Sequence, residues 1–254
     1  MDKLLDPGIR VPLTLLFVPF IGLRLTPDVR LLPLAIFGTG VFIVFTLYSK
    51  NLSIGPVSVV QSMLRLTNLL IFFLAVLFLH ERITTVKIVS AMVMLMGVIL
   101  VSFDVGLLLK KRIQTLTRAV PTILVQIVLQ AVSVLFLGYG IREFGGFSAN
   151  VGGRLFTVPL YLLFSMTRQR TKPSITLSSW KLILLITVID VIAYILYTFA
   201  VQLHELSFAS MIQSTMPVFT AIFGALFFGE RLAPVQKLGI AVAVLGTMGL
   251  ASGR

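Results

Sequence analysis

Long runs of apolar residues, interrupted at short intervals by Pro, Gly or charged residues, dominate the chain. The runs are continuous rather than alternating, which is typical of membrane-spanning helices and not of lipid-facing β-strands. Most of them approach the roughly 20 residues that a helix needs to cross a bilayer. The pattern predicts nine helices, at about 8–24, 31–49, 57–79, 85–103, 119–141, 151–167, 181–203, 207–229 and 233–252.

The first predicted helix is the weakest of the nine. Its uncharged stretch runs only from Val11 to Leu23, and Arg24 follows directly. A secretory signal peptide is the alternative, because Lys3 precedes the apolar run, but no small-x-small cleavage site follows it. We therefore expect a membrane helix here.

The composition excludes a soluble protein. Of the 254 residues, 57% are hydrophobic and only 12% are charged, about half the charged share of an ordinary soluble domain. The net charge of +12 does not indicate nucleic-acid binding, because the basic residues cluster beside apolar segments, as in loops at a membrane surface. There are no cysteines and two histidines, and no phosphate-loop, HExxH or nucleophile-elbow motif occurs. We expect no metal, no cofactor and no enzymatic activity.

An internal repeat organises the chain. Residues 47–102 match residues 196–251 at a constant offset of 149 residues, most visibly where LFLHERIT aligns with LFFGERLA. The second copy begins near Ala119 and has five predicted helices, whereas the first has four, since the counterpart of its opening helix would precede Met1. An odd number of helices per copy predicts that the second copy enters the membrane with the opposite orientation, which is the architecture of secondary transporters.

The repeated blocks also share a motif. Each has a polar start, a helix that ends in HER or GER, and a glycine-containing helix directly after it: Ser58, His80-Glu81-Arg82 and Gly97 in the first copy, and Ser207, Pro217, Gly229-Glu230-Arg231, Gly239, Gly246 and Gly249 in the second. With these features the chain resembles the EamA-like branch of the drug/metabolite transporter superfamily. The resemblance implies an all-α polytopic membrane protein with two inverted five-helix repeats around a central cavity. Asn68 stands where the second copy has Pro217.

We therefore predict three parts. Residues 1–104 form a first EamA-like repeat of four helices that lacks the family's first helix, 105–118 form a basic linker, and 119–254 form a second repeat of five helices. Nine helices in all are expected.

Charged and polar residues inside the apolar runs are the candidate site. Asp190 and Arg65 stand at membrane depth, where a charge costs roughly 2.5–3.5 kcal/mol and is expected to face a cavity or a partner. Asp190 is predicted to bind a substrate ammonium or a coupling proton, and Arg65 a carboxylate or phosphate. The alternative is a structural Asp190–Arg65 ion pair. The uncharged candidates are Gln61, Asn68, Gln126, Gln130, Tyr194, Tyr197 and Gln213, which equally suit hydrogen bonds between helices.

The predicted function is secondary-active transport of small organic metabolites by alternating access, as a permease or exporter in the plasma membrane, with amino acids as the first candidate solutes. A cavity with one acid and one base suits a zwitterion. The expected partners are the lipid bilayer, a small solute and coupled protons, with no nucleic acid, in a monomer or a homodimer. Two alternatives remain open: a non-transporting scaffold or decayed paralogue, and a flippase for lipid-linked metabolites.

Overall fold

The structure is a computed structural model that describes residues 23, 25, 28–54, 60, 63–81, 84–102, 113–167, 177–229 and 232–252. A short 3-10 helix, Val29–Leu31, precedes the α-helices. These are α1 (Leu32–Ile54), α2 (Leu66–Leu79), α3 (Thr85–Ser102), α4 (Ile113–Phe144), α5 (Gly146–Thr167), α6 (Leu177–Leu203), α7 (Leu206–Gln213), α8 (Met216–Phe228) and α9 (Pro234–Ser252).

The predicted all-α fold is confirmed across the described residues, among which no strand occurs. Five segments are long and apolar enough to cross a bilayer: Val29–Ile54, Ala119–Phe144, Leu184–Leu203, Leu206–Phe227 and Pro234–Ser252. Apart from Leu23, the predicted span 8–24 lies outside the described residues, and the predicted total of nine membrane-spanning helices is not matched among the residues that are described.

Two predicted boundaries shift because a single glycine separates α4 from α5. Gly145 adopts a left-handed conformation with φ of 81°, and its N–H donates to the carbonyl of Ile141 at 2.8 Å. This backbone suits glycine, and it lets α5 begin at Gly146 rather than at the predicted residue 151. At its other end α4 begins at Ile113, before the predicted residue 119.

The helices form two compact units, each discontinuous in sequence. Unit 1 contains Met1–Thr46 and Leu129–Glu205, and unit 2 contains Leu47–Val128 and Leu206–Arg254. Each unit thus draws on both predicted repeats.

In unit 1, α5 packs closely against α1 and α6. The Thr157 hydroxyl donates to the carbonyl of Gly38 at 2.9 Å, and the rings of Phe42 and Tyr161 meet edge to face at 4.9 Å. Against α6, the N–H of Gly146 donates to Gln202 Oε1 at 2.6 Å. Further along the same interface lies an apolar cluster of Phe147, Val151, Val191 and Ile195.

In unit 2, α3 and α9 pack backbone to backbone. A Cβ placed on Gly239 would lie 2.7 Å from the backbone nitrogen of Val101 and 2.8 Å from the carbonyl oxygen of Gly97. A Cβ on Gly97 would overlap the backbone of Ala243, and one on Gly246 that of Met94. Glycine at these positions is what permits the close approach.

This pairing is antiparallel and locally two-fold symmetric. Residue numbers rise along α3 as they fall along α9, from the Ser90–Gly249 contact to the Val101–Gly239 contact. Gly97 contacts Ala243, and the equivalents of these two residues in the other repeat, Gly246 and Met94, contact each other as well. The two helices are repeat counterparts, and they run in opposite directions.

Two of the predicted helices are interrupted at equivalent positions. The predicted span 207–229 divides into α7 and α8 at Ser214 and Thr215. In the span predicted at 57–79, the counterpart of Ser214 is Arg65, which forms a turn just before α2. A single continuous helix was therefore the wrong expectation for both.

Proline explains the second-copy break. Pro217 has no N–H to donate to the carbonyl of Gln213, and the hydrogen bonds shorten to the i−3 pattern, as from Thr215 N–H to Ile212 O at 3.0 Å. The first-copy break forms without proline, with the N–H of Asn68 donating to Arg65 O at 3.2 Å.

The HER and GER motifs end their helices in the same way. His80 follows α2 with φ of 51°, and its counterpart Gly229 follows α8 with φ of 67°. Both are left-handed caps of the kind that favours glycine. The next residue, Glu81, is 8% exposed, and its two carboxylate oxygens accept from the N–H groups of Leu206 and Ser207, each at 2.9 Å. Glu81 thus caps the start of α7.

Replacing Glu81 by Ala is expected to destabilise the protein by about 2–5 kcal/mol, because two buried N–H groups at a helix start lose a charged acceptor. Glu81→Gln retains one acceptor oxygen and is expected to lose less. The measurement is denaturation of the purified protein followed by circular dichroism. As a control, Glu143→Ala removes an exposed carboxylate that pairs with Arg30 and is expected to cost under about 1 kcal/mol. Equal losses from the Glu81 and Glu143 variants to Ala would contradict the capping role.

Candidate functional site

The predicted site residues divide between the two units. Unit 1 contains Gln130, Asp190, Tyr194 and Tyr197, whereas unit 2 contains Arg65, Asn68, Gln126 and Gln213. Gln61 lies outside the described residues. The site is therefore described one unit at a time.

In unit 1, three of the predicted residues follow one another along α6. Asp190 is half-buried and lies one helical turn before Tyr194, which is half-buried as well. The rings of Tyr194 and Tyr197 are 6.0 Å apart and inclined at 34°. Gln130 is half-buried on α4. This part of α6 presents a carboxylate and two phenols within two turns.

Asn150 and Arg154 on α5 complete this group, and neither is among the predicted site residues. The guanidinium carbon of Arg154 lies 5.6 Å from the centre of the Tyr194 ring, close enough for a cation–π interaction. Arg154 Nε donates to Asn150 Oδ1 at 2.8 Å. Asn150 is 0% exposed. Arg154, Asn150 and the α6 residues together form what we call the α5–α6 polar cluster: Asn150, Arg154, Asp190, Tyr194 and Tyr197.

The sequence carried a usable signal for this cluster. The predicted helix 151–167 places Arg154 near its start, where the side chain could reach the membrane surface. Because α5 starts at Gly146, Arg154 instead lies well inside the helix. Asn150 is four residues earlier, which places both side chains on one face.

In unit 2, Arg65 lies at the first-copy helix break. Its Nη1 and Nη2 atoms are each 3.6 Å from Met216 Sδ, and Met216 is the first residue of α8. The positive guanidinium therefore lies near the start of a helix, where the backbone N–H groups are also electropositive. The surroundings favour a negatively charged group at this position.

The other polar candidates of unit 2 differ in exposure. Gln126 is 1% exposed, and its Oε1 accepts from Asn51 Nδ2 at 2.7 Å. Asn51 Oδ1 accepts in turn from the Thr122 hydroxyl at 2.6 Å. This chain of hydrogen bonds joins α1 to α4, so Gln126 has a packing role. Asn68 is 7% exposed, and Gln213 is exposed.

The described residues hold no group of three or more His, Asp or Glu side chains that could ligate a metal ion. The donors that they do bring together, guanidinium, amide and phenol with one carboxylate, suit an organic solute better than a cation.

Comparison with known proteins gives the family. A family model described as the EamA-like transporter family matches residues 9–103 and 117–252. The chain belongs to the EamA-like transporter family. Its predicted membership is thereby confirmed, and the two matched segments correspond to a two-repeat EamA domain.

The other comparisons add the fold alone. A solved structure titled "Crystal structure of protein" is similar, with a TM-score of 0.74 and 15% sequence identity, covering 98% of this chain and 86% of that one. Searching the curated proteins gave no match. EamA membership and the five apolar helices identify a multi-pass integral membrane protein, in a family of transporters of small solutes.

The Asn51–Gln126 pair gives a test of the packing role in unit 2. Asn51→Ala leaves the buried Gln126 Oε1 without its donor and is expected to lower the free energy of unfolding by about 1–3 kcal/mol. Adding Gln126→Leu removes the orphaned acceptor, so the double variant is expected to lose less than the two single losses combined. Denaturation of the purified variants measures this, with the exposed Ser53→Ala as control, expected within about 0.5 kcal/mol of the parent. Strictly additive losses would contradict the coupling.

Proposed function

We propose that this EamA-family protein is a secondary-active transporter of small organic metabolites, with amino acids and related zwitterions as the best candidates. It moves them by alternating access around a site at mid-membrane depth, without ATP. The observation that carries the proposal is the antiparallel, two-fold-related packing of α3 and α9, which are repeat counterparts.

Antiparallel counterparts support two repeats of inverted topology. Two inverted halves can exchange conformations, and this exchange opens one central site to each side of the membrane in turn. A scaffold has no need of this symmetry. The interruptions at Arg65 and at Ser214–Thr215 add support, because discontinuous helices line the substrate and ion sites of many secondary transporters.

The polar groups inside the helices support a charged or zwitterionic solute. Asp190 is the acid in an otherwise apolar stretch of α6, and a carboxylate at membrane depth is retained where it binds something. Its roles in this proposal are to bind the solute's ammonium group and to exchange a coupling proton. Arg65 is proposed to attract the solute's anionic group.

Uptake by proteoliposomes tests the proposal. Purified protein is reconstituted and offered a mixed pool of radiolabelled amino acids, with and without a pH gradient. We expect saturable uptake that the gradient accelerates. Asp190→Asn is expected to reduce it by about tenfold or more, equivalent to losing about 1.4 kcal/mol of stabilisation. The variant should retain its helical circular dichroism.

The matched control is Glu143→Gln, the same chemical change at an exposed carboxylate of unit 1, which is expected to leave uptake unchanged. Uptake that is equal in the Asp190→Asn and parent proteins would exclude the proposed role of Asp190. Absence of saturable uptake from well-folded protein, extended to phosphorylated metabolites, would favour the scaffold alternative.

A further inference from the structure

Among the described residues, the side-chain amide of Asn150 forms a hydrogen bond through its oxygen but not through its nitrogen. The side chain is 0% exposed, and its Oδ1 accepts from Arg154 Nε at 2.8 Å. Its Nδ2 has no hydrogen-bond partner in the described part of the chain. A buried N–H group without an acceptor is costly. A bound ligand with a hydrogen-bond acceptor would satisfy this N–H group.

The orientation of this amide follows from its neighbour. Arg154 has only donors, so the reversed amide would set Nδ2 against Nε, two donors facing each other. With Oδ1 on Nε, the Nδ2 group is the other terminal atom of the same amide, so it lies near the Nε end of the guanidinium. Two donor groups, one of them positively charged, are thus brought next to each other.

The guanidinium itself is held in place from two sides. Asn150 Oδ1 fixes its Nε end, and the Tyr194 ring lies 5.6 Å from its central carbon. A planar guanidinium fixed in this way suits the planar, two-oxygen geometry of a carboxylate. The cluster already contains one acid, Asp190, one turn from Tyr194. One positive charge in a cluster that also contains one acid favours a monoanion over a phosphate dianion.

We propose that Asn150 Nδ2 and the Arg154 guanidinium form a carboxylate-binding subsite in unit 1, which holds the carboxylate of the solute. The proposal rests on the proposed transport function for its physiological role, and it names the solute class as organic monocarboxylates, zwitterionic amino acids included. Tyr194 positions Arg154, and Asp190, one turn before Tyr194 on α6, is proposed to hold the ammonium group of a zwitterionic solute. Arg154 thus binds the carboxylate, which is the role that the sequence predicted for Arg65, and the part proposed for Arg65 is limited to attracting an anionic solute.

The direct test is ligand-dependent thermal stability of the full chain in detergent. The probes are sodium benzoate and sodium acetate, compared with benzamide, acetamide and sodium chloride at matched ionic strength. We expect the two carboxylates to raise the unfolding midpoint, and the amides and chloride to leave it unchanged. No carboxylate-specific rise, or an equal rise with the amides, would overturn the proposal.

Asn150→Asp is the deciding variant. It is isosteric and keeps an oxygen for Arg154 Nε, but it replaces the Nδ2 donor by a negative charge. We expect it to weaken benzoate binding by about ten- to hundredfold while retaining the fold. Asn51→Asp is the matched control, since it makes the same change at a buried amide of unit 2. It is expected to lower the midpoint and still respond to benzoate. A normal benzoate response in Asn150→Asp would also overturn the proposal.

Proteoliposome uptake separates this proposal from the proposed function. Carboxylate-specific stabilisation without any flux would contradict transport and leave the subsite standing. Flux of amino acids that is unchanged in Asn150→Asp would contradict the subsite and leave transport standing. A half-saturation concentration raised by about ten- to hundredfold in Asn150→Asp, with Asn51→Asp at the parent value, is the result expected if both hold.

Discussion

The close approach of α3 to α9 is the contact on which the architecture of unit 2 depends. Lipid is as apolar as leucine, so helices in a bilayer gain little from burying apolar surface and associate through close packing instead. Gly97, Gly239 and Gly246 bring the two backbones together. The two helices are repeat counterparts, so Gly97 of α3 and its equivalent Gly246 of α9 make equivalent contacts. The local two-fold symmetry follows from this equivalence.

The second constraint is that a polar group removed from water needs a partner. This accounts for the hydrogen bonds that the Glu81 carboxylate accepts from the N–H groups at the start of α7. It also accounts for the Asn51–Gln126 hydrogen bond between α1 and α4. Both satisfy structural needs of unit 2. Asn150 departs from the rule on one atom, Nδ2. In our proposal, this donor beside a guanidinium, unpartnered within the described residues, serves binding rather than packing.

Sequence alone predicted the helical class and the family, because long continuous apolar runs are typical of membrane helices and the HER and GER motifs recur as in EamA-like proteins. It predicted the repeat because matching residues recur at a constant offset of 149. It did not predict the breaks at Arg65 and Ser214, since a run of apolar residues looks the same whether its backbone hydrogen bonds are continuous or not. It also overlooked Arg154. The position of Arg154 within the helix depends on where α5 begins. The one-residue connection at Gly145 places that start at Gly146, five residues before the predicted one. The domain boundaries and the roles of the site residues stay predictions.

The central claim is that equivalent helices of the two repeats pack antiparallel, and disulfide trapping tests it most directly. The chain has no native cysteine, so paired substitutions report without background. Ser90→Cys with Gly249→Cys is predicted to cross-link in membranes, because a Cβ at position 249 would lie 3.0 Å from that of Ser90, and the helices need to separate by only about 0.5 Å to reach the Cβ–Cβ distance of a disulfide. The second pair is Ser90→Cys with Gly239→Cys, two positions that are equivalent in the two repeats. An antiparallel arrangement places these positions far apart, so this pair should not cross-link. Cross-linking of the second pair instead of the first would contradict the antiparallel arrangement and, with it, the basis for alternating access.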